Sequence, residues 1–157
     1  QLNLAGDHAR EIEQFRAAVE LDPNHFVGHW GLGLAYEHAG RLEESVTALR
    51  RAAALAEGNP ILSAVLARAE ALAGRPAEAR RILDAIDADP AAARSDYQRA
   101  AAEVALGDRE EALRRLERAA GAREPWMVWL RVDPMLRPLR GHARFEALVE
   151  RVFASRA

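Results

Sequence analysis

Residues 31–52 read GLGLAYEHAGRLEESVTALRRA. Two short amphipathic segments meet at Gly40, a pattern that predicts a helical hairpin. The phase of this stretch recurs along the chain. Gly6, Gly40, Gly74 and Gly107 stand 34, 34 and 33 residues apart. Nine residues after each come Phe15, Leu49, Leu83 and Leu116; twelve after come Ala18, Ala52, Ile86 and Ala119. Five after come Glu11, Ser45, Ala79 and Ala112. Four-fold agreement in phase is the signature of a stacked repeat, in which each unit buries its apolar face on its neighbours.

Each glycine falls where one helix must end and the next begin, because glycine tolerates the left-handed conformation of a helix terminus. Asp7 and Asp108 follow two of them, and Arg75-Pro76 follows a third. Asp caps exposed N–H groups, and Pro suits a first helical turn. Asp22-Pro23, Asn59-Pro60, Asp89-Pro90 and Asp133-Pro134 mark the starts of new segments. Helices are therefore predicted over 7–21, 26–39, 42–57, 60–73, 76–86, 91–106 and 109–120. A short helix over 125–132, a turn at Pro134 and Pro138, and a last helix over 143–154 complete the reading.

Composition agrees with an all-α chain. Half of the 157 residues are apolar. Most of these are Ala and Leu, which favour helix, while β-branched runs are scarce. Without cysteine there are no disulfides or thiolate metal sites. The sequence contains neither an apolar run of membrane-spanning length nor a leader-like start. It begins at Gln1, which we read as the continuation of a longer protein. The net charge of −2 argues against a generally basic nucleic-acid surface. Residues 114–156 hold ten Arg against five acids, read as a solvated helical end. All 22 basic residues are Arg, which we read as the codon bias of a GC-rich bacterial genome.

The period of 34 and the run Trp30, Leu32-Gly33, Tyr36, Ser45, Leu49, Ala52 resemble the tetratricopeptide repeat. The resemblance implies a right-handed α-solenoid of antiparallel helix hairpins with a C-terminal capping helix, forming one domain over 1–157. Its units are a truncated first repeat (1–25), second (26–59), third (60–89) and fourth (90–124) repeats, and a cap (125–157). The first helix of the first repeat is expected upstream of Gln1. Two repeats depart from the pattern: Glu70 and Glu103 stand where the second carries Tyr36, and Arg99 stands where it carries Leu32. A buried lone carboxylate is costly. Either these helices expose that edge or each Glu finds an Arg. Arg99, four residues before Glu103, allows an intrahelical pair.

The ending narrows the resemblance. Gly107-Asp108, Ala112, Trp126, Val132-Asp133-Pro134, Pro138-Leu139-Arg140 and Arg144-Phe145 are similar to the last segment of tetratricopeptide modules in bacterial signalling proteins. Those proteins include winged-helix transcription regulators, nucleotide cyclases and serine/threonine kinases. The resemblance implies a cytoplasmic, non-enzymatic module that binds a protein or peptide, with no cofactor and no membrane partner. An alternative is a spacer or oligomerisation module of a cyclase or kinase. Its self-association would run through the open N-terminal hairpin at Ile12, Phe15 and Val19.

In this family the first helices of the hairpins line the inner curve. That implies a groove with Val27, Trp30, Leu34, Glu37 and His38 from the second repeat. Ile61, Ala64, Arg68 and Leu72 would follow from the third, and Arg94, Tyr97, Ala101 and Val104 from the fourth. Aromatic and Arg side chains are frequent interface anchors. Trp126, Trp129, Met135, Leu139, Phe145, Leu148 and Phe153 are expected to cover the end of the stack, as terminal repeats must. Other chemistry is weak. His25 and His29 have helical metal-ligand spacing but no third ligand at fixed spacing. Glu43-Glu44 and Glu110-Glu111 suit first helical turns. Gly28, Gly31 and Gly33 do not follow a strand, as a dinucleotide loop requires. No nucleophile has a plausible base. Accordingly, no catalytic, cofactor or metal residue is assigned.

Overall fold

The computed structural model describes residues 4–90 and 95–154. Among them the ordered elements are all helical. They are α1 (Leu4–Leu21), α2 (Phe26–His38), α3 (Leu42–Leu55), α4 (Pro60–Leu72), α5 (Pro76–Asp87), α6 (Asp96–Leu106) and α7 (Arg109–Gly121). Two 3₁₀ helices, η1 (Pro125–Trp129) and η2 (Pro134–Leu139), precede α8 (Ala143–Ala154). Consecutive helices pack in pairs, α2 on α3, α4 on α5 and α6 on α7, with α4 also against α6 and η2 against α6. This is the arrangement of an α-solenoid of helix hairpins.

Three hairpin corners share one construction. Gly40, Gly74 and Gly107 have φ of 72°, 79° and 83°. The next residue donates back to the position five before it: Arg41 N to Tyr36 O at 2.8 Å, Arg75 N to Glu70 O and Asp108 N to Glu103 O, both at 2.9 Å. Each glycine donates to the carbonyl three residues before it, which completes the double bond of a helix-ending Schellman motif. Gly6 departs from this phase. It lies within α1, which begins at Leu4. The expected fourth-repeat helix begins at Asp96, with residues 91–94 outside the described residues.

The repeat phase sets the core. Leu49, Leu83 and Leu116 are fully buried, as are Ser45, Ala79 and Ala112. In α1 the matching Phe15 and Glu11 are only partly buried. Burying a large aliphatic side chain contributes roughly 1.5–3 kcal/mol, so these three leucines are the main ties within the hairpins. Gly33 lets Leu49 approach closely: a Cβ there would stand 2.5 Å from Leu49 Cγ.

Ile12, Phe15 and Val19, the inner side of the first helix and the residues the self-association alternative would use, pack onto α2. Ile12 is buried with Leu32, Ala35 and Tyr36, and Phe15 and Val19 pack against the same cluster. The ring of Phe15 occupies the space a side chain at Gly31 would need.

The C-terminal block covers the far end, as expected for most of its apolar residues. Met127, Leu130, Leu136, Leu139, Phe145 and Leu148 are buried with Leu113 and Leu116 of α7. The predicted turn at Pro134 and Pro138 is itself the helical turn η2, capped by Asp133, which accepts from Met135 N. The predicted helix over 125–132 is the shorter 3₁₀ helix η1.

Candidate functional site

The groove is built from α2, α4 and α6, and its far wall from the C-terminal block. Trp30, Leu34 and His38 of α2 face Val65 and Arg68 of α4 and Tyr97, Gln98 and Ala101 of α6 across a cleft of about 430 Å³. Trp126, Trp129, Val132, Asp133, Pro134 and Met135 close it. An adjoining cleft of similar size continues past Glu37, Leu72, Val104 and Pro138.

Trp126 does not simply cover the stack. Its ring meets Trp30 edge-on, with centroids 6.4 Å apart. Edge-to-face geometry is favoured by the ring quadrupoles. Trp129 was expected in the cover as well, yet it is 54% exposed, a large aromatic surface at the groove.

Glu124, just before the C-terminal block, and Asp133 within it hold α6 in place. Ser95, the N-cap of α6, makes no side-chain capping bond. Buried Glu124 does this work instead, accepting from Asp96 N at 3.0 Å and Tyr97 N at 3.1 Å. A carboxylate at a helix N-terminus satisfies free N–H groups and complements the helix dipole. Asp133 accepts from the Tyr97 hydroxyl at 2.7 Å. Burial, reinforced by this bond, pushes the Tyr97 hydroxyl well above its ordinary pKa. Tyr97 therefore serves as a structural tie, with its polar end occupied.

Arg68 is 4% exposed and donates from Nη2 to Glu37 at 2.9 Å, joining α4 to α2. Among the described residues the groove is thus mostly apolar, and its arginine, Arg68, is neutralised by a neighbour. Three buried polar atoms on its lining residues lack a hydrogen-bond partner: Trp30 Nε1, Arg68 Nε and Gln98 Oε1. Such groups cost about 1–3 kcal/mol each when left unsatisfied.

Of the residues expected in the groove, Trp30, Leu34, Glu37, His38, Arg68, Leu72, Tyr97, Ala101 and Val104 line one of the two clefts. Val27 is exposed and lines neither, and Ala64 is buried in the α4–α5 core. Ile61 also lines neither cleft, and Arg94 lies outside the described residues. The unanticipated part is the wall from residues 126–138. The run of Trp, Val, Pro and Met there was visible, but its direction of folding has no repeat phase to reveal it.

The two anomalous carboxylates are fully buried, and each finds arginines from other helices. Glu70 accepts from Arg50 Nη2 and from Arg75 Nε, both at 2.5 Å, and Arg75 also bonds Glu43. Glu103 accepts from Arg80 Nη1 at 2.9 Å, while Arg115 stands 3.3 Å from its other oxygen without a hydrogen bond. Arg99 is not its partner; it reaches back to Asp87 at 2.5 Å and to Asp96. Burial raises the Glu103 carboxyl above the ordinary range, against the pull of Arg80 and Arg115. The hydrogen bonds from Arg115 hold Asp87 below its ordinary value, more than offsetting burial.

Residues 28–59 match the family model of the tetratricopeptide repeat. The match spans the second hairpin and supports a tetratricopeptide-repeat family, whose repeats generally mediate protein–protein interaction. Among curated proteins and among solved structures, none matches the chain. Among the described residues, no helix is long and apolar enough to cross a membrane.

Proposed function

We propose that this chain is a non-catalytic docking module of a larger bacterial signalling or transcription regulator. It takes a peptide or protein segment into the groove between the first helices and the C-terminal block. The observation that carries this reading is the groove itself: an aromatic-walled cleft of about 430 Å³ whose lining residues keep three buried polar atoms unpartnered. An apolar side chain of the segment would fill the cleft, and hydrogen-bonding groups of the incoming chain would find those atoms on local opening. Mostly apolar concavities with a few placed polar groups are the usual form of binding sites. The regulator context rests on the likeness of the ending to modules of that kind.

The alternative of an oligomerisation end relied on Ile12, Phe15 and Val19. With those side chains against α2, Phe15→Asp disturbs the α1–α2 packing as well as any contact at that end, so it does not separate the two readings. The exposed Trp129 gives the cleaner test. Peptides selected on the whole chain from a random library should carry large apolar residues. They should bind Trp129→Ala and Trp30→Ala at least tenfold more weakly, with circular dichroism unchanged. Equal binding to both folded variants would reject groove docking.

A further inference from the structure

The structure brings three potential metal ligands together where α1 meets the end of α2. We propose that His8, Glu11 and His38 form a zinc-binding site that fastens these two helices. Their ligand atoms all lie within 4.8 Å of one another. Glu11 Oε2 stands 3.6 Å from His38 Nδ1 and 3.9 Å from His8 Nδ1. Ligand atoms about 2.0–2.1 Å from a tetrahedral zinc ion are about 3.3 Å apart, so small side-chain rotations close the remaining gap. His8 and Glu11 lie one turn apart on α1, which puts both on the side facing His38. The two imidazole rings are 6.0 Å apart and tilted, leaving room for an ion between their edges.

Two imidazoles and a carboxylate suit zinc among the common divalent ions. All three side chains are partly exposed, so an ion can reach them and water can supply a fourth ligand. His38 is the last residue of α2, where the helix dipole favours a cation. It also lines the groove, so the ion would sit at the rim of the cleft. The sequence offered His25 and His29 instead. In the structure His29 Nε2 donates to Pro23 O at 2.9 Å.

Isothermal titration of the whole chain with zinc, and the visible spectrum of the cobalt-substituted protein, test the assignment. One ion per chain is expected, with a tetrahedral cobalt spectrum and a melting temperature that chelator lowers. His38→Ala, His8→Ala and Glu11→Gln should each weaken binding by at least about tenfold, since ligand loss should exceed the 10–100-fold cost of losing a supporting residue. His29→Ala should bind like wild type. No binding at millimolar zinc, binding that survives His38→Ala, or binding lost in His29→Ala would each overturn the proposal.

Discussion

The second and fourth hairpins solve the same position differently, and the third shows how one solution turns into the other. At Tyr36 the ring is flanked by Arg16, which donates to its hydroxyl at 3.0 Å, and by Arg41, stacked 4.7 Å from the ring centroid. One repeat later, Glu70 replaces the tyrosine and the same two arginine positions are filled. Arg50 stands 20 residues before Glu70 and Arg75 five after, as Arg16 and Arg41 do around Tyr36. The cations that stack on a ring in one hairpin bond a carboxylate in the next. A repeat that already supplies two guanidinium groups accepts a buried acid there with no new partner.

The fourth hairpin lacks that inheritance. Arg16 and Arg50 stand ten residues after Gly6 and Gly40; the position ten after Gly74 is Asp84, and the one that matches Arg41 and Arg75 is Asp108. The carboxylate relies on Arg80, one turn earlier, and on Arg115 from α7. Arg115 is itself buried and shared among Asp87, Glu103, Glu111 and Asp96. Arg50 and Arg75, by contrast, reach solvent. Glu70 thus has two cations, one of them shared with Glu43; Glu103 draws on a larger cluster.

The largest effect should come from removing the centre of that cluster. Arg115→Ala takes a cation from buried Glu103 and from the more exposed Asp87 and should cost about 3–5 kcal/mol, as loss of one partner of a buried pair does. Denaturant unfolding followed by circular dichroism measures this, and a loss equal to that of Arg50→Ala would erase the contrast between hairpins. A smaller effect is expected from restoring tyrosine. Glu70→Tyr places a ring between Arg50 and Arg75 and should stay within about 1 kcal/mol of wild type, near the worth of a partly exposed cation–π contact. Glu103→Tyr meets Asp108 and strips Arg115 of a partner, and should be worse by about 2 kcal/mol, within the range for a misfitted core. Equal midpoints for the two variants would show that the flanking arginines do not decide the position.

The mildest test is pH. Because the Glu103 carboxyl is raised in the folded state, its contribution is full below the unfolded value and is lost as pH rises through the folded one. Glu103→Gln should therefore gain stability relative to wild type as pH rises from 4 toward 7. Asp87 has the opposite sign: its contribution holds above the unfolded carboxylate value and is lost as pH falls through the depressed one. Asp87→Asn should flatten the acid limb of the stability curve. Parallel curves for these variants and wild type would remove both assignments.

The hairpins and their corners were legible in the sequence because they rest on local rules. A glycine with positive φ, a cap and a periodic apolar face each act within a few residues. The partners of the two glutamates were missed for the opposite reason. Helical spacing pointed to Arg99, yet guanidinium groups from neighbouring helices reach Glu103. The recurrence of arginine at 16 and 50, and at 41 and 75, was the available clue to Glu70. The helix residues of the groove followed from the family resemblance. Its other wall did not, since residues 125–139 fall after the last repeat and are placed by distant contacts such as Asp133 on Tyr97 of α6.

The contact between Trp30 and Trp126 joins the second hairpin to a segment beyond the fourth. Arrays of this kind ordinarily touch only their neighbours, so they can fray from either end one unit at a time. Here the two tryptophans act as a clasp across the spring. Peeling the C-terminal block away must first break a contact made across two intervening repeats. Stretching from that end should accordingly give one cooperative release in place of a staircase, and a partner wedged beside the clasp would set how far the coil can open.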